Sequence, residues 1–255
     1  MMRYEEFEKL LDEDLAWRKV EISSLIMVAK NNSEEVILKS ILLLLYAHWE
    51  GYIKNSSKLY IKYISDKNLK IGTLLGNFKA VALKNDISKC IDTKESLTLS
   101  SELAFLEQFL KIEQRNFNIK INLNDEFDSE IINTKSNLSP KVFKSIISII
   151  GLNYKGAIKT REKYIDSNLL GNRNCIGHGS KFDKSNQVDF SLTLKDIEKL
   201  KDIIFSIIDN FRDEILEYIN KEYFLESNKD KLTQFETAQE AHLENIIKSI
   251  EDSYK

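Results

Sequence analysis

A single proline and only eight glycines in 255 residues restrict this chain more than any other feature. Proline inside a helix removes a backbone donor and clashes with the turn before it, and glycine loses more conformational freedom on folding than any other residue. A chain almost free of both can run long helices, so an all-α fold is expected. Hydrophobic residues make up 42% and charged residues 30%, enough for a large core beneath a well-solvated surface. The length suits one large domain or two small ones.

Apolar spacing places the helices. Phe7, Leu10, Leu11, Leu15 and Val20 recur at helical intervals and predict a first helix over Tyr4–Lys30. Asn31-Asn32-Ser33 breaks the pattern, and Ser33 is the expected N-cap of a second helix running to Ile64, with Glu34 and Glu35 in its first turn. That helix is apolar on nearly all sides from Val36 to Tyr46 and should be the most buried. Further helices are expected over 74–91 and 101–114. Asn118 to Asn124 alternates with period two, as do Val188, Phe190 and Leu192, so at most a short strand pair or extended edge is expected there. Ser139-Pro140 is a helix start, with Gly151 at the far end. A helix is read from Arg161 to Gly177. Thr193 to Asp196 resembles a capping box ahead of a long helix to about Phe224. A thinner amphipathic helix covers 232–253, giving a helical domain over 1–225 and a C-terminal helical extension over 226–255.

Net charge is −3, so any nucleic acid must be held by a local basic patch and not by overall charge. Cys90 and Cys175 lie far apart without metal or redox spacing, which favours a reduced cytoplasmic protein. The longest apolar run, Ile41 to Ala47, is too short for a bilayer, and the N-terminus lacks the apolar stretch of a signal peptide. No membrane association is expected.

Chemistry concentrates in Arg173-Asn174-Cys175-Ile176-Gly177-His178-Gly179, which holds one of only three histidines. A guanidinium offers a rigid fork of donors to phosphate oxygens. An imidazole titrates near neutrality and can move a proton. An amide can orient the nucleophile or the leaving group. Arg173, Asn174 and His178 are thus the candidate catalytic residues for phosphodiester cleavage without a metal or cofactor. Five positions turn about 140° around an α-helix, so one straight helix does not aim Arg173 and His178 at the same phosphate. Either the helix loosens at Gly177, or a second protomer supplies its own copy across a twofold axis.

Arg-Asn-x-x-x-His resembles the RxxxxH signature of HEPN-domain ribonucleases. The string Arg161-Glu162-Lys163-Tyr164-Ile165-Asp166 before the motif, and the earlier segment Leu45-Tyr46-Ala47-His48-Trp49-Glu50-Gly51-Tyr52-Ile53-Lys54, are similar to bacterial HEPN-like nucleases of toxin and phage-defence loci. The likeness spans Leu45 to Gly179. It implies a HEPN-like helical bundle that dimerises and cuts RNA without metal, using the ribose 2′-OH as nucleophile and leaving a cyclic phosphate and a 5′-OH. Carried over, His178 is the general base or acid, Arg173 holds the phosphate and Asn174 orients the groups. An antitoxin or defence-system protein is the implied partner besides RNA and a second copy.

Lys155, Lys159, Arg161 and Lys181, with Lys163 and Lys184, flank the motif and would form a basic rim for the RNA backbone. Tyr154, Tyr164 and Phe182 could stack on unpaired bases, although core packing is the commoner use of such residues. Glu50 could approach Arg173 as an ion-pair partner or to tune the site. His48-x-Glu50 and His242-x-Glu244 match half of a zinc deaminase signature, but the P-C-x-x-C half is absent. Two readings compete with a nuclease: a non-catalytic module that keeps the motif for dimerisation, and an RNA- or nucleotide-sensing subunit of a larger complex.

Overall fold

A computed structural model of the chain describes residues 2–92, 98–123, 131–178 and 190–255, with Asp92 and His178 described by backbone alone. The described residues form an all-α bundle. Its helices are α1 (Tyr4–Asn31), α2 (Glu35–Asp66), α3 (Gly76–Asp92), α4 (Ser100–Lys111), α5 (Pro140–Ile150), α6 (Gly156–Lys159), α7 (Glu162–Ile165), α8 (Asn172–His178), α9 (Leu194–Asn220) and α10 (Lys229–Ser253). A π-helical segment, Asp166–Gly171, joins α7 to α8.

The core lies where α1, α2 and α9 meet. α1 buries Phe7, Leu11, Leu15, Arg18, Ile22, Ile26 and Ala29, a single stripe at three- and four-residue spacing. α9 buries a matching stripe from Ile197 to Ile219. α2 packs against α1, α5, α8 and α9, which is why it is apolar on so many sides. By length and composition α2 could cross a membrane, yet it is the central helix of this bundle.

Local chemistry sets the helix ends. Ser139 Oγ accepts from Val142 N and Pro140 occupies the first turn of α5. Gly151 ends that helix with a φ of 81°, where a side chain would be strained and would meet Asn77. Thr193 and Asp196 cap α9 reciprocally. Ser33 does not cap α2. The first turn closes instead on the Glu34 carbonyl, which accepts from Ile37 N and Leu38 N.

Near Asn118 the described residues form no paired strand, within the expectation of at most a short β element. Ser65 of α2 supplies both partners for Ile119, its Oγ accepting from Ile119 N at 2.7 Å and donating to Ile119 O at 3.1 Å. A helix end thus takes the hydrogen bonds that a second strand would have provided. Bridging among the described residues is limited to the isolated pairs Lys70–Asn116 and Leu74–Leu225. Val188 lies outside the described residues, and Phe190–Leu192 are irregular.

α10 belongs to the same packing. It buries Leu232, Leu243 and Ile247, and Tyr218 donates to Glu236 from α9 at 2.8 Å. Glu240 accepts from Gly156 N and Ala157 N, so α10 also caps α6.

Candidate active site

The segment from Glu162 to His178 is helical throughout, but its middle is widened into a π turn. Leu169 and Leu170 anchor that turn in the core. The amides of Asn168 and Asn172 donate to the carbonyls of Tyr164, Ser167 and Asn168 along this turn. Short π segments often mark functional positions in helices.

Arg173, at the start of α8, is held on three sides. Its guanidinium carbon sits 4.6 Å from the centre of the Tyr46 ring on α2. Nη1 donates to Asn174 Oδ1 at 2.9 Å and Nη2 donates to the Ser136 carbonyl at 3.2 Å. The carbonyl is presented by a tight loop in which Lys135 and Ser136 both have positive φ, a costly conformation for side-chain-bearing residues. Two α2 aromatics clasp the loop. Tyr46 Oη accepts from Leu138 N at 2.8 Å, and Trp49 Nε1 donates to Leu138 O at 3.2 Å. α2 thereby positions α8 directly through the ring of Tyr46 and indirectly through the 134–138 loop.

The environment of Arg173 differs from that of the other packed arginines. Arg18 meets Asp14, Arg115 meets Asp86, Arg161 meets Glu244 and Glu251, and Arg212 meets Asp12 and Asp213. No carboxylate pairs with Arg173 among the described residues. Two of the five N–H groups of a guanidinium are used in the contacts above. A half-buried, oriented cation with spare donors is suited to an anion.

Glu50 lies one turn along α2 from Tyr46. Burial, and after it the Glu50 carboxylate beside the hydroxyl, push Tyr46 up to about 12, while the Leu138 N–H and Arg173 pull the other way. Glu50 therefore touches the site through Tyr46. His48, two residues back, points elsewhere. It is buried against α1, with Nδ1 3.3 Å from Arg18 Nη1, Nε2 3.1 Å from Glu21, and its ring against the edge of Trp17. Burial first and Arg18 second hold its imidazole below the usual range. His48 is an interface residue of the α1–α2 pair, and Glu244 of the other His-x-Glu pair is taken up by Arg161.

A family model described as HEPN_MAE_28990-like HEPN matches residues 7–224. The chain belongs to the HEPN superfamily. No curated protein and no solved structure matches it.

Within this HEPN chain, Arg173 and Asn174 sit together on α8, and Glu50 of α2 acts on Tyr46, the residue that holds Arg173. The backbone of α8 is α-helical through His178, so the helix does not loosen at Gly177. The His178 side chain, Lys181, Lys184 and Phe182 lie outside the described residues. Lys159 and Lys163 are exposed. Lys155 and Arg161 are not rim residues. Lys155 is buried to 2% exposure and pairs with Glu214 of α9. Arg161 is drawn inward by Glu244 and Glu251 of α10. Tyr154 and Tyr164 are half-buried against the core, with Tyr154 donating to Glu162 at 2.8 Å. Tyr46 and the 134–138 loop carried no assigned role in the sequence. Tyr46 lies in an apolar run and reads as core, and only its spacing of three from Trp49 hints that both rings reach one neighbour.

Proposed function

We propose that this HEPN protein is a metal-independent endoribonuclease that cuts RNA through the ribose 2′-OH, acting in the cytoplasm as a toxin or antiviral defence effector. The observation that carries this reading is Arg173: fixed by Tyr46, Asn174 and the Ser136 carbonyl, it meets no carboxylate among the described residues. A structural arginine in such a setting would be expected to pair, as the others do. In this mechanism Arg173 holds the scissile phosphate and neutralises charge that builds in the transition state. His178 moves the proton, and Asn174 keeps the guanidinium in plane. Lys159 and Lys163, joined by Lys141 at the start of α5, guide the RNA backbone.

The working unit is a homodimer. On one regular helix Arg173 and His178 diverge by about 140°, so the complementary group is best supplied by a second copy of α8. The outer face of α2 beside the site carries Val36, Ser40, Leu43 and Ala47 at helical spacing, all exposed, and Trp17 and Val28 of α1 are about half exposed. A twofold contact over this face brings two α8 segments to one cleft.

Purified protein with unstructured RNA tests the proposal. Arg173→Ala and His178→Ala should each remove most cleavage without loss of helicity. Arg173→Lys should fail as well, because an ammonium lacks the planar fork. Leu43→Asp should lose this contact and no longer cut. RNA binding without cleavage by the wild type would favour a sensing or scaffold module. A monomer that cuts at the wild-type rate would reject the composite site.

A further inference from the structure

α4 is apolar on two opposite sides, and among the described residues only one of them packs against the bundle. Ser101, Phe105, Gln108 and the following Ile112 form the inner side, with Ser101 O near Cys90 of α3 and Gln108 accepting from Arg115. Leu103, Leu106 and Leu110 continue from Leu99 along the outer side at spacings of four, three and four. They are exposed at 59% for Leu99, 63%, 48% and 72%, with Phe109 alongside at 51%. None of the twelve residues of α4 is buried. That spacing is the a/d pattern by which helices pair along a seam. Leu99 adds to the pattern. It sits at the N-cap with a φ of 51°, where a polar residue or glycine is usual, and it makes no capping bond.

We infer that the leucine seam of α4 is a self-association surface that pairs antiparallel with the α4 of a second copy. The charges choose among occupants. The exposed ionic residues of α4 are Glu102, Glu107 and Lys111, and Lys111 is occupied by Glu107 at 2.5 Å. An acidic border repels RNA and anionic lipid, and membrane-surface helices carry basic residues instead. A parallel pair would set Glu102 against Glu107 of the second copy on both edges of the seam. An antiparallel pair centred between Leu103 and Leu106 avoids this. It lays Leu103 on Leu106 and Leu99 on Leu110, and brings Glu102 to Phe109 and Glu107 to Ser100. The two helix dipoles then oppose favourably. The seam is about 18 Å long for twelve residues, and its leucine order is the same read from either end, as a twofold contact requires.

This contact is separate from the α2 face and does not depend on the nuclease reading. With both faces engaged, the protein assembles beyond a dimer. Light scattering on the full chain at tens of micromolar should show Leu106→Asp halving the mass of the wild-type assembly with unchanged helicity, and Leu43→Asp removing the other contact independently. Orientation is read by disulfide trapping in a Cys90→Ser, Cys175→Ser background. A mixture of Leu103→Cys and Leu106→Cys proteins should cross-link to each other, and neither alone. An unchanged mass for Leu106→Asp would overturn the inference while leaving the α2 dimer untouched. Cross-linking of Leu106→Cys with itself would mean a parallel pair and overturn it too. Binding of wild type, but not Leu106→Asp, to anionic vesicles without self-association would assign the face to lipid instead.

Discussion

Tyr46 ties together the two devices that hold Arg173, and its two parts can be removed separately. Tyr46→Phe deletes the hydroxyl that accepts from Leu138 N and keeps the ring under the guanidinium. Leu138 is fully buried, so its N–H loses its partner without access to water. An unsatisfied buried donor costs about 1–3 kcal/mol, and a chain of this size loses about 2–4 °C of Tm per kcal/mol, so melting should fall by roughly 2–12 °C. Cleavage by the molecules that remain folded should drop only modestly. Tyr46→Leu removes the ring as well. A cation–π contact is worth about 0.5–2 kcal/mol, so if that contact orients Arg173 in the transition state the rate falls a further ~2- to 30-fold. The assay is calorimetry beside single-turnover cleavage of a labelled RNA, with circular dichroism to correct for unfolded protein. A Tyr46→Phe protein that melts with the wild type, or a Tyr46→Leu protein that cuts as fast as Tyr46→Phe, would refute this account of how Arg173 is positioned.

Three further outcomes follow from the packing. Lys155→Met leaves Glu214 buried without its cation, which should cost about 3–5 kcal/mol in denaturant unfolding while cleavage per folded molecule is retained; a stable but inactive variant would return Lys155 to the substrate site. His48 is held neutral, its folded pKa below the free value of 6.5, so its contribution to stability is complete above that pH and is lost as pH falls through the lowered value; unfolding free energies between neutral and mildly acid pH should show this slope, and His48→Asn should flatten it. Tyr46 and Tyr164 are raised from 10.0 to about 12, so the neutral phenols stabilise the fold fully below the ordinary value and that stability is lost as pH climbs to the raised one; phenolate absorbance should lag behind that of free tyrosine until the helices melt.

Much of the fold was legible because its signals are local. Ser139-Pro140, Gly151 and the Thr193–Asp196 box act on groups within a turn of themselves, and each marks a helix end in the structure. Apart from the Ser33 cap, misplaced features depend on distant partners. The segment at Asn118 alternates like a strand, but its hydrogen bonds go to Ser65. Lys155 and Arg161 sit beside the motif in sequence like a basic rim, yet Glu214, Glu244 and Glu251 arrive from α9 and α10 to pair with them. The π turn at Asp166–Gly171 has no clear signature beyond two asparagines four residues apart. In the candidate site, the types and spacing of Arg173, Asn174 and His178 are visible because they fall within six consecutive residues. The buttress is not: Tyr46 and Ser136 reach Arg173 from remote parts of the chain, and nothing about either residue alone distinguishes it from core or loop.

The central claim is that the ribose 2′-OH is the nucleophile and that Arg173 and His178 serve it without a metal. A matched pair of RNAs tests it most directly, one fully ribose and one carrying a single 2′-deoxyribose on the 5′ side of the mapped cut, incubated with wild-type protein in EDTA. The ribose substrate should be cut to a 2′,3′-cyclic phosphate and a 5′-OH, and the deoxy substrate should stay intact at that position. Cleavage of the deoxy substrate there, or activity that appears only when a divalent ion is restored, would contradict the mechanism even if Arg173 and His178 proved essential.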